Sequence, residues 1–148
     1  MAIDVRGLID YDLASHFYDN ATKKGKFKYF IDSKAEWKFT NEPNPIKMTK
    51  QDLAYTQSVI DGIGQMTSLK PKKTGNVNKA TFVVQKTNDF NDGLLGYMRP
   101  TSWGNYLVFD DYFNTNQLNT LSRGTIDHEI AHTVGIGHPY GSGPNPDY

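Results

Sequence analysis

The segment from residue 128 to residue 138, with the sequence HEIAHTVGIGH, constrains the fold of this chain more than any other feature. His128 and His132 are four residues apart, a spacing that places both side chains on one face of a helix. Gly135 follows where such a helix has to end, because glycine accepts the positive φ that reverses the chain, and Pro139 prevents the helix from resuming. Half a turn away from the histidines, this helix carries apolar residues for a core: Ile126, Ile130 and Val134. We therefore predict a helix with one buried face and one face that presents two imidazoles to a cleft.

This segment matches the pattern H-E-x-x-H-x-x-G-x-x-H, which is typical of a zinc site. On a helix, His128 and His132 can bind one zinc ion at about 2.0–2.1 Å, and His138 can return from below as a third ligand. Three protein ligands leave a fourth position for water, which is the arrangement of a catalytic zinc. Glu129 lies beside the ligands, where it can act as a general base without binding the metal.

The composition excludes several other classes of protein. The chain has no cysteine, which excludes disulfides, thiolate catalysis and cysteine-based zinc sites. Sixteen basic and sixteen acidic side chains give a net charge of zero, which argues against nucleic-acid binding and against a polybasic membrane anchor. No apolar stretch approaches the roughly 20 residues of a membrane span, and the N-terminal residues lack the apolar run of a secretory signal peptide. The sequence leaves the oligomeric state open.

Aromatic and β-branched residues predict several strands along the chain. The three clearest segments are residues 27–31, 81–85 and 106–109. Residues 97–99 lead into Pro100, which suits an edge strand because proline cannot donate to a central ladder. The two prolines within residues 42–45 argue against regular structure there, and residues 71–78 are expected to form a turn-rich connection.

Helices are expected between these strands. Residues 49–52 resemble a capping box, with Asp52 in place of the usual glutamate, so a helix should begin there and extend to about residue 68. The last helix should begin near residues 121–125, and residues 8–17 could form a short one. This order of elements predicts an α/β or α+β domain whose sheet is backed by helices.

The zinc-motif residues resemble those of the metzincin zinc endopeptidases. Pro139, directly after the third histidine, is similar to the serralysin type within that clan. Residues 93–100 followed by residues 106–111 resemble the edge strand and the next strand of matrix metalloproteinases. The resemblance implies an α+β fold, in which a twisted mixed sheet backed by helices and an active-site helix form a metzincin-like upper subdomain. On this basis the chain is one peptidase domain: residues 1–25 are an N-terminal extension, 26–135 the upper subdomain and 136–148 a truncated lower part.

The same resemblance implies a function and its residues. The chain would be a zinc-dependent endopeptidase that acts on a peptide or protein substrate and binds one catalytic Zn²⁺ through His128, His132 and His138. Glu129 would be the general base. The substrate would pair antiparallel with the edge strand, along Gly96, Tyr97, Met98 and Arg99. The family also favours secretion or delivery outside the cell.

The chain departs from the family in its C-terminal part. Metzincins have a methionine-containing turn some tens of residues after the third histidine, whereas the four methionines here all precede the motif. Either this is a minimal variant or the chain is a fragment. The strand histidines that help bind a second zinc in matrix metalloproteinases are missing, so we expect no second zinc. Asp110 and Asp111, with Asp89, Asn91 and Asp92, could supply oxygen ligands to a calcium ion, although solvated loop carboxylates are favoured.

Two other classes of function remain as alternatives. The chain could be a catalytically weak or inactive zinc-binding interaction module derived from a metzincin, and the intact Glu129 argues against this. It could also be a helix-rich interaction domain in which the histidines are incidental, and absence of bound zinc would favour that interpretation.

Overall fold

The fold combines a six-stranded mixed sheet with helices, as described by a computed structural model for residues 25–67, 69–90, 93–111 and 117–136. The strands of the described residues are β1 (Lys26–Ile31), β2 (Pro45–Ile46), β3 (Lys70–Lys73), β4 (Phe82–Thr87), β5 (Gly96–Thr101) and β6 (Gly104–Asp110). Within the same ranges the helices are α1 (Lys50–Met66) and α2 (Thr120–Thr133), and a 3₁₀ turn spans Val77–Lys79.

The sheet is mostly parallel. Its strand order is β3-β1-β4-β6-β5, and β2 pairs with β4 outside this path. β1 pairs in parallel with both β3 and β4, and β4 pairs in parallel with β6. β5 runs antiparallel to β6 at the end of the strand order, and β2 runs antiparallel to the end of β4. The fold is therefore mixed α/β, in agreement with the coarse class predicted from the sequence.

Apolar side chains cover both faces of the central strands, which is why β4 and β6 are buried along their whole length. On the helix side, Phe82 and Leu107 pack with Ile60 of α1 and Ile126 of α2. On the opposite side, a smaller cluster contains Val77, Ala80, Val83, Tyr106 and Val108. We call that opposite side the outer face of the sheet. Because the helix-side core includes residues of both helices, α2 is held firmly against the sheet.

The capping box predicted at the start of α1 is confirmed. The Thr49 hydroxyl accepts a hydrogen bond from the Asp52 amide at 3.1 Å, and the Thr49 amide donates to Asp52 Oδ2 at 2.8 Å. Together these two bonds satisfy two of the amides that a helix start leaves unpaired. The helix ends at Met66, two residues before the predicted end.

Asp52 also belongs to a buried ionic triad with Lys86 and Asp111. Lys86 Nζ lies 2.8 Å from Asp52 Oδ2 and 3.0 Å from Asp111 Oδ2, and all three side chains are about 1 % exposed. The ammonium group therefore joins the first turn of α1 to the ends of β4 and β6. Such a triad is stable only while every partner is present, because an unpaired buried charge is costly.

Three predictions were wrong, two about the secondary structure and one about the exposure of carboxylate side chains. Residues 71–73, the start of the expected turn-rich connection, form the edge strand β3 together with Lys70. Exposed lysines and a proline are tolerated there because backbone hydrogen bonds do the pairing. Pro45, at the end of the segment expected to be irregular, forms the short strand β2 with Ile46. Asp110 and Asp111 are not solvated, since only 5 % and 2 % of their surfaces are exposed. Asp110 ends a fully buried strand and Asp111 directly follows it, and burial raises the pKa of Asp110.

The remaining predicted elements agree with the structure where it describes them. The strands expected at residues 27–31, 81–85 and 106–109 correspond to β1, β4 and β6, and the edge strand expected before Pro100 is β5. The short helix expected over residues 8–17 lies outside the described residues. Among the residues described, no helix has both the length and the apolar character needed to cross a membrane.

Candidate functional site

The histidine-bearing helix α2 begins at Thr120 and is capped by Asn119, whose side chain accepts a hydrogen bond from the Ser122 amide at 2.8 Å. Ile126 and Ile130 are buried in the helix-side core, with 0 % and 2 % of their surfaces exposed. This fixes the rotation of the helix about its axis, as the sequence predicted. His128 and His132 consequently lie on the side that faces away from the core.

The two imidazoles are close enough to share one metal ion. Nε2 of His128 and Nε2 of His132 are 3.0 Å apart, and the rings are nearly perpendicular. Two nitrogens bound to one tetrahedral zinc at about 2.0–2.1 Å would lie about 3.3 Å apart. The observed pair therefore fits zinc after a movement of a few tenths of an ångström. Nitrogen ligands of this type are also those that zinc prefers.

A backbone contact orients the second histidine. Nδ1 of His132 lies 2.6 Å from the Ile136 carbonyl oxygen, which can only accept a hydrogen bond. In the neutral ring Nδ1 therefore carries the proton, and the lone pair is on Nε2, the atom that faces His128. Hydrogen bonds of this kind set the tautomer and the ring orientation of metal-binding histidines.

The end of α2 follows the prediction as far as the structure describes it. The helix ends at Thr133, Val134 caps it, and Gly135 has a φ of +87°. The Gly135 amide donates to the His132 carbonyl oxygen and the Ile136 amide to the Ala131 carbonyl oxygen, at 2.9 and 3.1 Å. His138, the expected third ligand, lies outside the described residues. In the described part of the chain, no group of three or more His, Cys, Asp or Glu side chains is arranged to hold a metal ion.

The environment of Glu129 differs from that of His128 and His132, the two histidines of the same helix. Only 7 % of its surface is exposed, and the Met98 amide of β5 donates a hydrogen bond to its carboxylate. Burial raises the pKa of Glu129 to about 7, although the Met98 hydrogen bond acts in the opposite direction. The side chain is therefore held between α2 and β5 with a pKa near neutrality.

A cleft of about 780 Å³ lies between the start of β5 and the N-terminal half of α2. Three leucines contribute to its apolar wall, and His128 and Glu129 also line it. The lining residues are Gly93, Leu94, Leu95, Gly96, Thr120, Leu121, Gly124, Thr125, His128 and Glu129. An apolar cavity beside ionisable groups has the character of a binding site for an organic group.

Glycines shape this cleft at two positions. A Cβ atom on Gly96 would lie 2.6 Å from Cγ2 of Thr125, so only glycine allows β5 to approach α2 this closely. A Cβ atom on Gly124 would meet nothing within 4 Å, which leaves room in the cleft wall. Sequence reasoning missed Gly124 and Thr125. Helical spacing could have indicated Gly124, because Gly124 precedes His128 by four residues and therefore lies on the same face of the helix.

The other predicted site residues lie on β5. Gly96, Tyr97, Met98 and Arg99 belong to the strand at the end of the sheet, paired with β6 on one side. Met98 contacts Glu129 through its amide, so the strand and the helix meet at the candidate base. Of the residues considered for calcium, Asn91 and Asp92 lie outside the described residues, and Asp89 binds the side chain and the amide of Asn44.

Comparison with known proteins adds no assignment to this site. No protein-family model matches the chain, and neither does any curated protein sequence.

Proposed function

We propose that this chain is a zinc-dependent endopeptidase of the metzincin type, with Glu129 as its general base. One arrangement carries the proposal. The Nε2 atoms of His128 and His132 lie 3.0 Å apart, and on the same helix the buried Glu129 contacts an edge strand. A pair of metal-binding nitrogens, a separate carboxylate and a strand edge are the parts that metal-dependent hydrolysis of a peptide requires.

His128, His132 and His138 would hold the zinc. When bound, zinc supplies Lewis-acid activation of water and of the scissile carbonyl group. The hydrogen bond from His132 Nδ1 to the Ile136 carbonyl selects the neutral tautomer in which Nε2 is the ligand atom. The donor set therefore suits zinc in chemistry and in spacing.

Glu129 would accept the proton of the attacking water and pass it to the leaving amine. In the metal-free protein burial raises its pKa to about 7, which opposes the carboxylate form. A nearby cation would favour the carboxylate form, the form that accepts the proton. The Met98 amide holds this carboxylate in place at the strand edge.

The substrate would bind as an extra strand beside β5. A peptide antiparallel to β5 runs from the Thr101 end to the Gly96 end, so the residue after the cut would reach the cleft at residues 93–96. The cleft is large and apolar, and it would accept a large apolar side chain.

Metal content tests the ligand set directly. We expect the purified protein to bind one zinc ion per chain and His132→Ala to lose it, because two ligands bind zinc far more weakly than three. His16→Ala is the matched control, since His16 is the histidine outside the motif, and it should keep its zinc. Stoichiometric zinc in His132→Ala, measured by elemental analysis after dialysis, would contradict the proposed ligands.

A further inference from the structure

A second cavity lies on the outer face of the sheet, opposite α2. Its volume is about 260 Å³, and three aromatic rings line it: Phe39, Trp103 and Tyr106. Phe39 stacks on Trp103 with ring centres 5.7 Å apart and contacts Tyr106 at 5.3 Å. Trp103 nevertheless keeps 37 % of its surface exposed. A partly exposed aromatic wall around a cavity of this size is suited to a further ring.

The charged groups of this outer cavity cancel each other. The Glu42 side chain is only 3 % exposed and accepts hydrogen bonds from the Tyr97 hydroxyl and the Arg99 guanidinium group. Arg99 is half exposed. Because a buried carboxylate neutralises the guanidinium group, the cavity has no net charge with which to select an acidic or a basic ligand. Its aromatic walls therefore decide what it accepts.

Side chains alternate between the two faces of the sheet along β5, and this alternation determines which of them face the cavity. The Cβ direction of Gly96 points at Thr125 of α2, so residues 96, 98 and 100 face the helix. Tyr97, Arg99 and Thr101 face the outer side, where Arg99 and Thr101 line the cavity. Residues directly opposite one another on paired strands have their side chains on the same face. A peptide paired with β5 would thus place every second side chain on the cavity side.

We propose that the outer cavity is a subsite that accepts an aromatic side chain of the substrate, on the N-terminal side of the cut bond. This inference rests on the proposed function. The cut lies along the first half of β5, where Gly96 lines the cleft and the Met98 amide contacts Glu129, whereas Arg99 and Thr101 lie toward the other end. In an antiparallel peptide, the residues nearer the N-terminus therefore lie at the cavity and the later residues lie at the catalytic groups.

A panel of quenched fluorescent peptides tests the subsite. The peptides share one sequence after the cut and carry Phe, Ala, Asp or Lys at each of the five positions before it. We expect kcat/KM to be about three- to tenfold higher for Phe than for Ala, at one position or at two positions separated by one residue. Asp and Lys should give no advantage there.

Two tryptophan variants and one control assign the effect to the cavity. Trp103→Ala should abolish the preference for Phe, whereas Trp103→Phe should keep it because a ring remains. Trp37→Ala is the matched control, because Trp37 is 41 % exposed and does not line the cavity. A wild-type enzyme without preference, or a preference that persists in Trp103→Ala with an unchanged melting temperature, would overturn the proposal. A preference for Asp or Lys at that position would also overturn it.

Peptide binding separates failure of the subsite from failure of the proposed function. Binding of the same labelled peptides to Glu129→Ala is measured by fluorescence anisotropy. Suppose that the wild type cleaves none of the peptides, but that the Phe peptides bind to Glu129→Ala and lose this binding when Trp103→Ala is added. The endopeptidase proposal then fails and the subsite is supported. If there is neither cleavage nor selective binding, both proposals are refuted.

Discussion

Replacing Glu129 by glutamine should stabilise the metal-free protein at neutral pH. Glutamine has nearly the same shape and can still accept the hydrogen bond from the Met98 amide, but it carries no charge. In the wild type the carboxylate is 7 % exposed, and burial raises its pKa from 4.5 to about 7. The charged form of Glu129 is therefore less favourable in the folded protein than in the unfolded chain.

The pKa values give the magnitude and its sign. The folded and unfolded values differ by about 2.5, and a difference of one corresponds to about 1.36 kcal/mol, so the cost approaches about 3 kcal/mol. Below pH 4.5 Glu129 is protonated in both states, and the cost is absent. It develops as the pH rises from 4.5 to about 7 and is then constant. Glu129→Gln should match the wild type at pH 4 and exceed its free energy of unfolding by up to about 3 kcal/mol at pH 8.

Urea denaturation from pH 4 to pH 8, with a chelator present, measures this difference. All other side chains are common to both proteins, so the difference between the two curves reports on Glu129. A constant difference across the pH range would refute the argument that burial perturbs this carboxylate. A wild type that becomes the more stable protein above pH 7 would refute it as well.

Three further substitutions test the packing around the site. Lys86→Met should lower the free energy of unfolding by about 3–5 kcal/mol in urea, because it leaves two carboxylates of the ionic triad without a cation; an unchanged midpoint would contradict this. Gly96→Ala should lower the free energy of unfolding by about 1–3 kcal/mol, because its Cβ atom would collide with Thr125. Gly62→Ala is the control and should not destabilise the protein, because its Cβ atom would meet nothing within 4 Å. Equal effects of the two variants would contradict the close approach of β5 to α2. Gly124→Leu should keep or raise the melting temperature yet lower kcat/KM for peptides with a large residue after the cut, and unaltered selectivity would show that this residue does not enter the cleft.

The features predicted best from the sequence are those with local causes. The capping box at Thr49 and Asp52 involves residues three apart, and the structure shows both of its hydrogen bonds. The apolar face of α2 follows from helical spacing, and Ile126 and Ile130 are buried as expected. The positive φ of Gly135 follows from the need to end this helix.

Features that depend on distant partners could not be predicted in this way. β3 carries three lysines and a proline, and only its pairing with β1 makes it a strand. Asp111 is buried because Lys86, on a neighbouring strand, neutralises it. The pairing of Glu42 with Arg99 joins residues 57 positions apart in the chain, and no local sequence pattern indicates it.

Cleavage of casein, with and without a zinc chelator, tests the central claim most directly. The wild type should cleave casein, and the chelator should stop it. Glu129→Ala should keep its zinc and lose cleavage, whereas Glu36→Ala, a control at a solvent-exposed glutamate, should cleave like the wild type. Cleavage that continues in the chelator or in Glu129→Ala would contradict the account. Bound zinc without any cleavage by the wild type would instead favour a very narrow substrate, a missing C-terminal portion or a zinc-binding interaction module.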